Sequence, residues 1–250
     1  MASEIETLAP SGTCTGLTRP ITTKRATFSR WRSASIRPSR MPMPVFLFTH
    51  WQNAFQGWAE RGPEAERTYA VAEQSRLADD RDPAAHWAMG RALWLRRRHD
   101  QCILELEQAV ELSPNFALAH YNLAFVNSTT GYPKAAVPSS NHAGNLSPFH
   151  PMLFGMLGAR AMALVRLGRF EEAAEWRVKA AARPNAFAHI SAIAASSLGL
   201  AGRVDDGCAQ VAGIRRTLPH YRVGDLVNAM HFMTPMASAP SGWEIGPGAC

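Results

Sequence analysis

The residues of this 250-residue chain that could do catalysis or metal binding are nine His, four Cys and two acidic pairs, Glu171-Glu172 and Asp205-Asp206. The histidines are scattered, and the cysteines lack the Cys-x-x-Cys spacing of a structural zinc site. The sequence also has no glycine-rich phosphate loop, no His-Glu-x-x-His and no Gly-x-Ser-x-Gly. Both acidic pairs stand where a helix is predicted to begin, and acidic residues there favour the positive end of the helix dipole. The sequence therefore predicts no catalytic residue, no metal and no cofactor.

The net charge of +6 is concentrated in an N-terminal arm, residues 1–47. This arm holds seven of the 26 basic residues and two of the 20 acidic ones, so the other 203 residues hold 19 and 18. It is rich in Ser, Thr, Arg and Pro without a helical or strand period, which predicts a disordered tail. A basic arm of this kind could instead contact nucleic acid, but the nearly neutral remainder has no charge to support such binding. No apolar run is long enough to cross a membrane.

Proline and glycine recur at a nearly constant interval in the remaining sequence. The prolines are Pro114, Pro148, Pro184 and Pro219, and the glycines are Gly131, Gly168 and Gly202. A period near 34 residues is typical of the tetratricopeptide repeat, in which each repeat is a pair of helices. The sequence therefore predicts an all-α, right-handed superhelix (an α-solenoid).

The first clear repeat indicates how the two helices of a pair meet. With Pro83 as position 1, Gly90 and Cys102 occupy the positions where the helices cross, and both are small so that the helices can approach. Leu106 fills the space beside the crossing, and Pro114 marks the end of the second helix. We therefore expect Gly90, Cys102 and Leu106 to be in contact.

Five helical hairpins are predicted within a domain of residues 48–232, which a flexible tail, 233–250, follows. Their approximate ranges are 48–82, 83–116, 117–150, 151–187 and 188–221. The third range contains Pro138 in the middle of a helix, where proline costs about 3 kcal/mol or more. Ser140 occupies a position that suits a large apolar residue. This helix is predicted to be either kinked and exposed or altered because function no longer depends on it.

The first helices of the pairs are expected to line a concave groove. Six residues of the second and third hairpins are predicted to bind a protein or peptide there: Trp87, Arg91, Trp94, Tyr121, Asn122 and Phe125. Tryptophan, tyrosine and arginine are the residues that dominate the energetics of protein interfaces. Alternatively, Trp87 and Trp94 pack against the preceding repeat. Asn122 matches one position of a Lys/Asn/Arg carboxylate clamp, but Trp87 and Met152 stand where the clamp has lysines, so that clamp is not expected.

Four segments are more specific than the generic repeat: residues 86–95, 105–126, 147–160 and 213–223. Together they resemble the C-terminal repeat region of bacterial class III adenylate/guanylate cyclases, a region that a related group of winged-helix transcriptional regulators shares. The resemblance covers about residues 50–230 and implies a regulatory role in bacterial cytoplasmic signalling. Only 47 residues precede the repeats in this sequence, so the family's catalytic residues have no counterparts.

The resulting expectation is a non-catalytic protein-interaction module, the detached regulatory part of a cyclase-like protein. The alternatives are a cyclase or a cyclase subunit, and a fragment of a transcriptional regulator.

Overall fold

The computed structural model describes residues 43–184 and 186–230, and every regular element in those ranges is an α-helix. The helices are α1 (Met43–Phe55), α2 (Arg61–Ala78), α3 (Pro83–Leu95), α4 (His99–Leu112), α5 (Ala117–Thr130), α6 (Pro133–Leu146), α7 (Leu153–Arg166), α8 (Phe170–Ala181), α9 (Ala188–Leu200), α10 (Val204–Thr217) and α11 (Val223–Met230). No helix in these ranges has the length and apolar character needed to span a membrane. The prediction of an all-α chain of helical hairpins is confirmed.

Helices α1 to α10 form five consecutive hairpins, and α11 follows them. Each hairpin packs on the next, and the odd-numbered helices also pack on one another along the inner side of the stack. Helix α1 begins at Met43, five residues before residue 48, where the repeat domain is predicted to begin. The reason is the apolar run at the start of α1, where Leu47 is fully buried in the core. The rest of the predicted arm and the predicted tail lie outside the described residues.

The turns inside the hairpins require left-handed backbone at one residue. The periodic glycines provide it, with φ of 109° at Gly131, 74° at Gly168 and 76° at Gly202. The turn between α3 and α4 has Arg97 at φ 60° instead, and this conformation is unfavourable for residues other than glycine. The period of glycine in the sequence thus comes from the geometry of the turn.

The predicted crossing between α3 and α4 is present. A Cβ added to Gly90 would lie 2.7 Å from Leu106 Cγ and 3.3 Å from the Cys102 carbonyl oxygen. Cys102 and Leu106 are both fully buried. In the pair α7–α8 the corresponding contact is different, because the side chain beside Gly158 is the guanidinium of Arg177.

Helix α6 runs from Pro133 to Leu146 with Pro138 inside it. The proline is exposed, so the Lys134 carbonyl that its missing N–H would have bonded faces the solvent side. Ser140 is buried at the position predicted for a large apolar residue, and its hydroxyl donates a hydrogen bond of 2.8 Å to the Met156 carbonyl. Ser140 therefore makes a polar contact with α7 of the next hairpin where a large apolar side chain is predicted.

Candidate functional site

The six residues predicted to line a groove lie on two adjacent inner helices. Trp87, Arg91 and Trp94 are on α3, and Tyr121, Asn122 and Phe125 are on α5. The structure brings these side chains together, and all six are buried, with at most 8% of any of them exposed. They belong to the inner wall of the solenoid and not to an open surface.

Two aromatic side chains of α1 cover this wall. The Trp51 ring centroid lies 5.7 Å from that of Trp94, and the Phe55 centroid lies 6.0 Å from Trp94 and 6.4 Å from Phe125. Phe187, directly before α9, lies 5.8 Å from Phe55 on the other side. We call Trp51, Phe55, Trp94, Phe125 and Phe187 the inner aromatic cluster. It fills the inner side of the stack and joins the first hairpin to the fifth.

Arg91 is held among these rings. Its guanidinium carbon lies 3.8 Å from the centroid of Trp51 and 5.1 Å from that of Trp87, distances at which a cation is attracted to the ring face. Burial lowers the pKa of Arg91 to about 10, and the Tyr121 hydroxyl opposes that shift. The stacked rings offset part of the desolvation of the charge.

Asn122 and Trp87 bond to each other. The Trp87 Nε1–H donates a hydrogen bond of 2.6 Å to Asn122 Oδ1, which links α3 to α5. The Trp87 ring also lies 6.1 Å from Phe116, at the start of α5. Trp94 therefore packs on the preceding hairpin and also on Phe125 of the following one, at 5.1 Å between ring centroids, and the contacts of Trp87 extend to the following hairpin as well.

Sequence reasoning did not assign Trp51, Phe55 or Phe187 to this site. The available signal was the spacing of Trp51 and Phe55, which are four residues apart and repeat the pattern of Arg91 and Trp87 one hairpin earlier. That spacing places both aromatic rings on one face of α1. The sequence does not indicate that α9 approaches this face.

An open pocket of about 700 Å³ lies where the first hairpin meets the last helices. Its walls come from the end of α1, residues 56–59, the start of α9, residues 218–221 and α11. We call it the junction pocket. Trp58 and Leu218 line it with 53% and 47% of their surfaces exposed, and Phe55 connects it to the inner aromatic cluster.

The junction pocket also contains polar groups. His189 Nδ1 lies 2.7 Å from the Tyr221 hydroxyl, at hydrogen-bond distance. Burial lowers the pKa of His189 to about 4, the nearby charge of Arg61 acts in the same direction, and the Phe55 carbonyl and Asp225 oppose it. The imidazole is therefore neutral at physiological pH. Arg61 Nη1 donates a hydrogen bond of 2.5 Å to the Asn228 carbonyl near the end of α11.

Within residues 43–184 and 186–230, no three or more His, Cys, Asp or Glu are grouped so that they could hold a metal ion. The junction pocket combines aromatic walls with a few polar groups.

Neither a protein-family model nor a curated protein matches this sequence. Among solved structures, the thermophilic TPR protein TTC0263 of Thermus thermophilus matches with a TM-score of 0.57 and 17% identity, over 74% of this chain and 97% of that one. The MamA RS-1 ArsTM double mutant matches with a TM-score of 0.51 and 14% identity, over 71% and 95%. At these identities the likeness concerns the fold. The chain has the α-solenoid fold of tetratricopeptide-repeat proteins.

Proposed function

We propose that this chain is a non-catalytic protein-interaction module and that a peptide segment of its partner binds at the junction pocket. The observation that supports this proposal is the open pocket of about 700 Å³ beside the inner aromatic cluster, with the half-exposed Trp58 in its wall. A volume of this size lies within the range of ligand pockets, about 300–1,000 Å³. Aromatic side chains are the usual anchors of protein interfaces.

The six groove residues have a supporting role in this proposal. Because Trp51 and Phe55 cover them, direct contact with a partner would require α1 to separate from α3. Without that movement, they hold Phe55 in position at the back of the junction pocket through Trp94 and Phe125. A peptide bound to Phe55 and Trp58 would then contact the side of the inner aromatic cluster that faces the junction pocket.

The test is selection from a peptide display library on the full chain, followed by affinity measurement of the enriched peptides. Trp58→Ala is expected to weaken their binding at least tenfold, since removal of an aromatic anchor typically has an effect of this size or more. Phe149→Ala is the matched control, because Phe149 is 96% exposed and lies outside the pocket. If no peptide is enriched, or if both variants bind the peptides as the wild type does, the pocket is not the binding site.

The partner class that we propose is a component of bacterial cyclic-nucleotide signalling in the cytoplasm. The support for it is the resemblance of residues 86–95, 105–126, 147–160 and 213–223 to the repeat region of class III cyclases. Assays of purified chain with ATP and Mg²⁺ or Mn²⁺ are expected to give no cyclic AMP. Formation of product would favour the alternative, a cyclase activity, and would refute the non-catalytic assignment.

A further inference from the structure

Two arginines are buried in the interior of the stack, and most of their guanidinium nitrogens lack an acceptor in the described ranges. Only 3% of Arg91 and none of Arg177 is exposed. Within the described part of the chain, Nε and Nη2 of Arg91 and all three guanidinium nitrogens of Arg177 lack a hydrogen-bond partner. Arg91 has aromatic rings around it, but Arg177 has no ring contact of that kind among the described residues. A buried charge in this condition is unfavourable unless a counter-charge accompanies it.

The ionisable group associated with both arginines is Tyr121. Burial lowers the pKa of Arg177 to about 9, and the group that opposes this shift is the Tyr121 hydroxyl, as it is for Arg91. No carboxylate of the described residues contributes to either. A neutral phenol offers one acceptor oxygen and one donor, so it does not neutralise two guanidinium groups.

Helix α7 is shaped to receive these polar groups. A Cβ on Gly155 would overlap the Tyr121 hydroxyl oxygen, and a Cβ on Gly158 would lie 3.2 Å from Arg177 Nη1. Both glycines are buried inside the helix, where glycine is less favourable than alanine. Because they are one turn apart, the hydroxyl and the guanidinium reach neighbouring points on the same helix. The sequence thus makes room for both groups in the middle of a helix.

We propose that Arg177 and Tyr121 form a binding site for a small oxyanion, either a carboxylate or a phosphate. Guanidinium groups bind both anions through paired N–H donors, and the Tyr121 O–H provides a further donor. The ligand is small because both side chains are buried, which leaves no room for a folded segment. Because both groups are buried, entry of an ion requires a local separation of the helices around them, such as α5 from α7.

The experiment titrates the full chain with inorganic phosphate and, separately, with acetate, at constant ionic strength. Thermal unfolding is the readout, with ³¹P line width as a direct measure of phosphate binding. At an anion concentration 100-fold above its Kd, the Tm is expected to rise by about 5–10 °C and to saturate. A response to phosphate, to acetate or to both identifies which oxyanion the site takes.

Arg177→Met is expected to abolish the saturable rise, because methionine fills the space without a donor. The matched control is Arg183→Met, an exposed arginine just after α8, which should respond as the wild type does. Comparing Arg177→Met with Arg183→Met also corrects for the general stabilisation that phosphate gives to all proteins. If Arg177→Met does not fold, Tyr121→Phe must weaken the saturable response. The proposal is overturned if the wild type shows no saturable response to either anion, or if the variants at 177 or 121 respond as strongly as the wild type.

Discussion

The contact between Gly90 and Leu106 gives a quantitative prediction for the substitution Gly90→Ala. The new Cβ would lie 2.7 Å from Leu106 Cγ and 2.9 Å from Cδ2, whereas carbon atoms pack best at about 3.5–4.0 Å. Leu106 is fully buried, so either it leaves its rotamer or α3 and α4 move apart by about 1 Å. Overpacking of this kind costs about 1–3 kcal/mol. Alanine recovers about 1 kcal/mol through its higher helix propensity. The expected net result is a loss of about 0–2 kcal/mol of unfolding free energy, where helix propensity alone would give a gain.

The assay is urea denaturation followed by far-UV circular dichroism, with Gly199→Ala as the matched control. Gly199 lies in α9, and a Cβ there would meet no atom within 4 Å, so this variant should be more stable than the wild type by about 0.5–1 kcal/mol. A double-mutant cycle with Leu106→Ala separates the two contributions, because truncation of Leu106 should cost less in the Gly90→Ala background. If Gly90→Ala stabilises the protein as much as Gly199→Ala does, the proposed steric basis for glycine at this crossing is wrong.

Three further predictions concern single side chains. The pKa of Glu64 is lowered: burial raises it, but hydrogen bonds from His50, Asn53 and Arg67 outweigh burial. Its stabilising effect is therefore complete well above pH 4.5 and is lost as the pH falls through the lowered pKa. We expect Glu64→Gln to lower the free energy of unfolding by about 1–3 kcal/mol at neutral pH. The difference between this variant and the wild type should narrow in acid, and urea denaturation at both pH values measures it. Pro138→Ala should stabilise the protein by about 1–3 kcal/mol, because it restores an N–H to a helix that already includes this residue; an unchanged urea midpoint would count against this account. Arg97→Gly should raise the unfolding free energy by up to about 1 kcal/mol, since glycine relieves the left-handed strain; a lower Tm would contradict that assignment.

The fold could be predicted from the sequence because each repeat carries local signals. Gly90, Cys102 and Leu106 stand at positions where helix crossing restricts residue size, and the periodic glycines mark turns with positive φ. These constraints act between residues close in sequence, so one sequence suffices to recognise them. The start of α1 was less evident because the apolar segment around Leu47 is short and follows a polar arm.

The burial of the candidate site could not be predicted in the same way. The repeat pattern predicts that Trp87, Arg91 and Trp94 share the groove-facing side of their helix, and all three are buried. Whether that face stays open depends on the curvature of the whole stack, which sums small rotations between successive hairpins. The approach of Phe187 to Phe55 is the result of that sum, and no local pattern encodes it. The burial of Arg177 beside Gly158 was also missed, because the corresponding crossing of α3 and α4 has an apolar side chain, Leu106, at that place.

The contact between the two ends of the stack has a consequence for how the chain folds. Repeat arrays normally have contacts only between neighbours, so their ends fray and their length varies without harm. Here Arg61 donates hydrogen bonds to the carbonyls of Asn228 and Ala229, residues 167 and 168 positions away in sequence. Such contacts raise the contact order, and a long loop must close before they form, so folding should be slower than in an open array. The same contacts fix the number of hairpins, since inserting one between α4 and α5 would carry α11 away from Arg61.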